Sequence, residues 1–295
     1  MANVKPFVKW AGGKGQLLNE IRQKYPADLG GRINKYAEPF VGGGAVLFDI
    51  LSQYELKEVY ISDINRELVH TYITIRDSVD ELVEMLRAME GGYITASEQE
   101  RKAIYGNTRD NFNLLKKEDK NTVAIAAHFL FLNKTCFNGL YRVNAKGGFN
   151  VPHGSYKTPK ICDENNLRAV SQKLRVVSIV CDDYKKAVNF IDNKTFAYFD
   201  PPYRPLTPTA SFTSYTKDGF CDIAQADLAT FIDSMSIKGA HIVASNSDPK
   251  NVDEQDDFFD LLYAAYNISR IQASRAINSN GAKRGKVSEL LIANA

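Results

Sequence analysis

The sequence lacks any Cys-x-x-Cys or Cys-x-x-His spacing. Its four cysteines, Cys136, Cys162, Cys181 and Cys221, stand far apart, which argues against a zinc site. No signal peptide or membrane span is visible. The chain starts Met1-Ala2-Asn3-Val4-Lys5 with no apolar run behind it, so a cytoplasmic, reducing setting is expected. Acidic residues are missing from Leu130 to Lys160, where Lys134, Arg142, Lys146, Lys157 and Lys160 all carry positive charge. The formal net charge is only +2, so total charge does not announce nucleic acid. Its sorting does: acids collect elsewhere, as at Asp253, Glu254, Asp256, Asp257 and Asp260, which fits one anion-binding face. Internal repeats and low-complexity segments are also absent.

Two familiar phosphate-binding patterns fail on detail. Trp10-Ala11-Gly12-Gly13-Lys14-Gly15 joins a glycine turn to a lysine, but no Ser or Thr follows Lys14 to hold magnesium. Glu38-Pro39-Phe40-Val41-Gly42-Gly43-Gly44 reads as strand, glycine loop and helix, yet it is not Gly-x-Gly-x-x-Gly. Adjacent glycines still let the backbone come close to a ligand. The strand Val59 to Ser62 then ends at Asp63, 19 residues after Gly44. An acid there is placed to hold a ribose diol, or it caps the following helix. Together these features suggest an adenosine-containing ligand without a pyrophosphate.

The segment that organises the chain is Thr195 to Tyr203. Phe196-Ala197-Tyr198-Phe199 is a short buried strand, and Asp200-Pro201-Pro202-Tyr203 ends it, because proline cannot donate to a sheet ladder. An acid, two rigid residues and an aromatic ring therefore leave the carboxyl end of a strand, where open α/β sheets bind ligands. That set suits chemistry on a planar exocyclic amine. Asp200 accepts one amine hydrogen, the Pro201 carbonyl accepts the other, and Tyr203 offers a stacking face.

Between the two strand regions the pattern changes. From Ile64 to about Ala127 the spacing is helical, with Val79, Leu82, Val83, Leu86 and Met89 on one face, and a further helix is expected over Thr122 to Leu132. A basic, aromatic loop follows, and Asn138-Gly139 within it is a hairpin signal. After Asn165 the α/β rhythm returns. Strands are expected at Val176 to Cys181, His241 to Ser245 and Ser288 to Ala293, with a helix started by Asp222 and Gln225. Leu206 to Phe220 reads as a loop beside the site.

Taken in order, these segments resemble the DNA adenine methyltransferase family, alpha class. The resemblance rests on Phe7 to Lys14, Glu38 to Gly44, Phe149-Asn150-Val151-Pro152, Asp200 to Tyr203, and Ser279-Asn280-Gly281 with Lys283-Arg284. It implies a doubly wound, mostly parallel, Rossmann-like α/β sheet from residues 1–66 and 164–295, with a helical and hairpin DNA-recognition domain at 67–163. It also implies S-adenosyl-L-methionine as cofactor, double-stranded DNA as partner, and no metal, since a sulfonium is already an activated leaving group. Trp10 and Lys14 would contact the cofactor, Phe40 and Gly42, Gly43 and Gly44 its methionyl part, Asp63 its ribose, and Asp183 with Tyr184 its adenine. Asp200, Pro201, Pro202 and Tyr203 would form the catalytic set, with Asp200 between cofactor and flipped base. Relatives of this kind commonly methylate adenine in GATC. Lys9 would read a flanking guanine, and Arg142 and Pro152, with Asn138, Leu140 and Tyr141, the rest, while Lys283 and Arg284 supply phosphate contacts. An RNA adenine methyltransferase and an inactive DNA-binding member of the fold are the alternatives. A cognate restriction endonuclease acting on the same site is a further possible partner.

Overall fold

The computed structural model describes residues 4–118, 122–204, 220–274 and 286–294. The elements run α1 (Leu18–Arg22), β1 (Lys35–Glu38), α2 (Ala45–Gln53), β2 (Glu58–Asp63), α3 (Arg66–Asp77), α4 (Val79–Thr95), α5 (Glu98–Lys117) and α6 (Val123–Thr135). They continue α7 (Glu164–Leu174), β3 (Val177–Cys181), β4 (Thr195–Phe199), α8 (Asp222–Ile237), β5 (His241–Ser247), α9 (Phe258–Leu262), β6 (Asn267–Ser274) and β7 (Lys286–Ala293). The chain clusters into two units. One is Met1–Gly13, Gly42–Ser52 and Asp63–Cys181; the other is Lys14–Val41, Gln53–Ser62 and Asp182–Ala295.

The strands belong to a seven-stranded mixed sheet, six of them in the second unit in the order β2-β1-β4-β5-β7-β6. The pairs β1–β2, β1–β4 and β4–β5 are parallel, and β7 is antiparallel to both β5 and β6. Every residue of β1 and β4 is buried, as expected of central strands covered on both faces. The charged residues of β1 are paired accordingly. Lys35 donates to the Phe190 carbonyl at 2.7 Å and to Asp192 at 3.0 Å, and the Tyr36 hydroxyl donates to Glu38 at 2.7 Å. Strand order reverses between β1 and β4, so Phe40 and Asp200 leave the carboxyl ends of the two strands that define the switch point. The expected last strand is present as β7. Strand β6 was not anticipated: Asn-Ile-Ser-Arg-Ile-Gln-Ala-Ser has little apolar alternation, and β7 supplies its pairing.

In the first unit the helical run is α3 to α6, and α3, α4 and α5 all pack on α6. That helix is apolar nearly all round, with Ile125, Ala126, Ala127 and Phe129 to Leu132 buried, as an interior helix must be. On α4, Leu82, Val83 and Leu86 are buried as their spacing predicts. The helix after β2 is capped by Asn65, whose side chain accepts from Leu68 N, so Asp63 is not its cap.

The glycine loop is demanded by this unit's own packing. Gly44 has φ +72°, and a Cβ there would lie 2.5 Å from the Tyr72 hydroxyl and 3.0 Å from Phe48. Tyr72 cannot retreat freely, because it donates to the Gly42 carbonyl at 3.1 Å. Gly44→Ala therefore combines a left-handed backbone with a steric clash. We expect it to lower stability by at least about 1 kcal/mol, read as a reduced urea midpoint at unchanged slope.

Candidate active site

In the second unit the structure brings Lys14, Asp200 and Tyr203 together. The Lys14 ammonium, 4% exposed, lies 2.8 Å from Asp200 Oδ1 and 4.7 Å from the centre of the Tyr203 ring. Ser245 on β5 donates its hydroxyl to the same Oδ1 at 2.8 Å, and Tyr198 on β4 donates to Ser245 at 3.1 Å. Tyr203 is fixed at its far end, where its hydroxyl donates to Glu289 on β7 at 2.6 Å. Burial raises the Asp200 carboxyl above its ordinary pKa, Glu289 adds to that, and Lys14 and Ser245 pull it back toward the charged form.

The two prolines are braced from behind. Gln225 donates to the Pro202 carbonyl at 3.1 Å and accepts from Asn246 at 3.0 Å. Arg204, next in sequence, forks onto Asp222 at 2.7 and 3.0 Å, reaches Asp256 at 2.5 Å and lies over the Phe258 ring. Helix α8 starts at Asp222, as expected, although its N-cap, Cys221, makes no side-chain cap bond. The Asp222 and Gln225 side chains also hold the Asp-Pro-Pro-Tyr turn, because β4 and β5 carry that turn within their reach.

Phe40 and Tyr184 stack at 5.4 Å, with Phe220 edge-on to Phe40 and Phe231 edge-on to Tyr184. Burial pushes the Tyr184 hydroxyl up to about 12, so it stays protonated. Asp183 is exposed and caps its own turn, accepting from Lys185 N at 2.9 Å.

In the first unit Trp10, the glycines and Asp63 are neighbours. A Cβ on Gly42 would meet the Trp10 ring at 2.8 Å, and one on Gly43 would meet Trp10 Cβ at 3.2 Å. Asp63 accepts from Gly42 N at 3.1 Å and from Asn65 N at 2.8 Å. Burial raises its pKa, and those backbone bonds oppose the rise. A carboxylate has about four acceptor sites, so these bonds leave room for a ligand diol. The group therefore fits a ribose, and the Tyr184 ring of the second unit, backed by Phe40, is an aromatic face of the kind an adenine stacks on.

The same unit holds the loop residues. Lys9 is clamped by Asn133 of α6. Its N–H donates to the Asn133 oxygen at 2.8 Å, and the Asn133 amide donates to the Lys9 carbonyl at 2.8 Å and to the Gly139 carbonyl at 3.1 Å. The Lys9 ammonium lies 4.1 Å over Tyr156. Asn138 and Gly139 have φ of 55° and 64°, and Leu140 N donates to the Phe137 carbonyl at 3.3 Å, as in a mirror-image turn. The strands such a turn would join do not pair with each other. Cys136 bridges His153, and the local hairpin closes between Val143 and Phe149, around Asn144 to Gly148. Gly139 is needed there because a Cβ would meet Lys9 at 2.6 Å.

Tyr141 faces inward. It stacks on Trp10 at 6.0 Å, donates to Glu67 at 2.7 Å and accepts from Lys116 at 3.0 Å. Leu140 is half-buried, while Asn138, Arg142 and Pro152 are exposed. Arg142 donates to the side chain and carbonyl of Asn150 at 2.8 and 3.2 Å. Lys134 is pushed down to about 8 by burial and by Lys9 and Lys160, with Asp163 opposing. Lys283, Arg284, Ser279 to Gly281 and nearly all of the Leu206 to Phe220 loop lie outside the described residues.

The sequence reading missed Ser245, Glu289 and Asn133. Ser245 had one usable signal. Phe199 pairs with Ala244 in parallel register, so the next step along both strands sets Asp200 beside Ser245. Glu289 and Asn133 had none, because their partners are 86 and 124 residues away.

In the second unit, an acid-proline turn leaving β4 at the switch point of a mostly parallel sheet defines an α/β protein of the class that binds ligands at the carboxyl edge of its sheet. Comparison with known proteins is specific. The family pattern for D12 class N6 adenine-specific DNA methyltransferases matches residues 10–277. The type II methyltransferase M.MjaIII of Methanocaldococcus jannaschii is 50% identical over 293 residues, covering 99% of each chain. The type II methyltransferase M1.LlaDCHI of Lactococcus lactis is 35% identical, over 99% of this chain and 96% of its own. A DNA adenine methylase of Vibrio cholerae is 33% identical, with the same two coverages. The chain belongs to the D12 class of N6 adenine-specific DNA methyltransferases, whose methyl donor is S-adenosylmethionine. No described helix is long and apolar enough to cross a membrane.

Asn133→Ala would leave two carbonyls, that of buried Gly139 among them, and one amide without their partner. We expect a loss of about 1–3 kcal/mol in chemical denaturation. Asn133→Leu, of similar volume, should not recover it.

Proposed function

We propose that this enzyme methylates N6 of an adenine rotated out of duplex DNA, within the sequence GATC. The observation that carries the reading is the half-buried Asp200 carboxylate, held at the carboxyl end of β4 by Lys14 and Ser245. The lone pair of an adenine amine is delocalised into its ring, and the amine is far too weak an acid for a carboxylate to deprotonate it first. Asp200 therefore accepts one amine hydrogen and the Pro201 carbonyl the other, which draws the nitrogen toward a tetrahedral shape. When bound, S-adenosylmethionine supplies the electrophilic methyl group. The surplus proton on N6 leaves after the methyl has arrived, and Asp200 is the nearest acceptor. Tyr203 holds the base by stacking, its tilt fixed through Glu289.

The remaining roles follow the same reading. In the first unit Asp63 holds the ribose hydroxyls, and Trp10 with Gly42, Gly43 and Gly44 lines the methionyl chain. In the second unit Phe40 also faces the methionyl part, Lys14 meets the cofactor carboxylate, and Asp183 with Tyr184 takes the adenine. Lys9, Arg142 and Pro152 read the DNA with Asn138 and Leu140. Tyr141 supports them from inside the fold, and Lys283 and Arg284 contact phosphate. A cognate endonuclease would recognise the same site.

Asp200→Ala should abolish single-turnover methyl transfer while cofactor and duplex still bind, because the carboxylate acts mainly in the transition state. Near wild-type transfer by that variant would refute the reading. Cellular DNA from a host expressing the enzyme should resist cleavage wherever adenine methylation within GATC blocks the nuclease; sensitive DNA would remove the site assignment. Arg142→Ala should lose about 1–3 kcal/mol of discrimination against near-cognate sites, measured as a ratio of kcat/KM values. DNA affinity should fall linearly with salt on logarithmic axes, with a slope of about 0.9 per phosphate neutralised.

A further inference from the structure

Asp200 has two oxygens, and among the described residues both side chains that bond it, Lys14 and Ser245, meet the same one. Lys14 and Ser245 each lie 2.8 Å from Oδ1. Ser245 is 1% exposed and Tyr198 is fully buried. The hydroxyl chain has a direction. An ionised carboxylate only accepts, so Ser245 gives its single hydrogen to Asp200, and Tyr198 donates to Ser245 in turn. The geometry is built into the sheet. Tyr198 and Asp200 are two residues apart, on the same face of one strand, and Ser245 is one step beyond the last paired residue of the neighbouring strand.

We propose that Ser245, backed by Tyr198, is a positioning residue that dedicates Oδ1 to the protein and turns Oδ2 toward the adenine amine. This rests on the reading of Asp200 as the acceptor of that amine. Without the anchor the carboxylate can rotate, and either oxygen can face the base. Ser245 also favours the charged form, so its loss should show in the pH dependence. The groups that face Asp200 are Lys14 and Ser245, which lower its pKa, and Glu289, which with burial raises it; Tyr198 and Tyr203 stay protonated. Methyl transfer requires ionised Asp200, so the rate rises with pH through this group. Removing a donor to the charged form moves that acid limb to higher pH.

The test is single-turnover transfer with excess enzyme from about pH 5 to pH 9, beside equilibrium binding of S-adenosylhomocysteine and of a GATC duplex. Ser245→Ala should slow transfer at neutral pH by about ten- to a hundredfold, the value of a hydrogen bond to a charged group. Both ligands should bind within about twofold of wild type, and the acid limb should move upward. Ser245→Thr, which keeps the hydroxyl, should recover most of the rate. Tyr198→Phe should shift rate and limb the same way by less, and it carries the test if Ser245→Ala does not fold. A Ser245→Ala enzyme with wild-type rate and an unmoved limb would overturn the proposal. So would equal losses in Ser245→Ala and Ser245→Thr with an unmoved limb, which would mark a packing role only. Failure of the underlying reading looks different: Asp200→Ala would then remain active.

Discussion

The half-buried carboxylate of Asp200, at the end of β4, has to stay charged to act as the proposed acceptor of an amine hydrogen. Desolvation alone would favour its neutral form, a weaker acceptor. Much of the second unit's local structure answers that constraint. Lys14 brings the compensating charge from a turn near the start of the chain, and Ser245 brings a hydrogen bond from β5. Glu289 pushes the other way, yet it is the residue that holds Tyr203. The site accepts some electrostatic cost at Asp200 in exchange for a fixed aromatic face.

The turn that carries these groups is rigid because every part of it is held. Gln225 occupies the Pro202 carbonyl, Asn246 orients Gln225, and Arg204 ties the turn to Asp222 and Asp256. The first unit follows the same rule. Asn133 pairs with both backbone groups of Lys9 as a neighbouring strand would, which anchors the Lys9 backbone to an interior helix. Trp10 stacks on Tyr141 and backs Gly42, so the glycine loop and the basic loop share one aromatic support.

Local signals were legible along the chain. The apolar run before Asp200, the helical spacing of Leu82, Val83 and Leu86, and the left-handed pair at Asn138-Gly139 each follow from neighbours in sequence. Distant partners added what local pattern does not show. Asp222 starts α8 as expected, and its side chain and that of Gln225 also hold the Asp-Pro-Pro-Tyr turn. Of the two local readings of Asp63, the cap falls to Asn65, and Asp63 receives Gly42. Asn138-Gly139 makes its turn, but Cys136 and Val143 pair with later residues, so the hairpin forms further on. Strand β6 carries too little apolar pattern of its own and exists through its pairing with β7.

By itself the sequence determined which atoms could do chemistry: an acid, a carbonyl and an aromatic ring at the end of a strand that prolines terminate. That information is local, because it depends on backbone propensity and on residue type. Tertiary structure decided which oxygen of the acid is held and by what. Ser245 lies 45 residues from Asp200 and Glu289 lies 86 from Tyr203. Their meeting depends on the register of β4 against β5 and of β5 against β7. Register is set by the packing of whole strands, and a slip of one residue would turn Ser245 to the opposite face of the sheet.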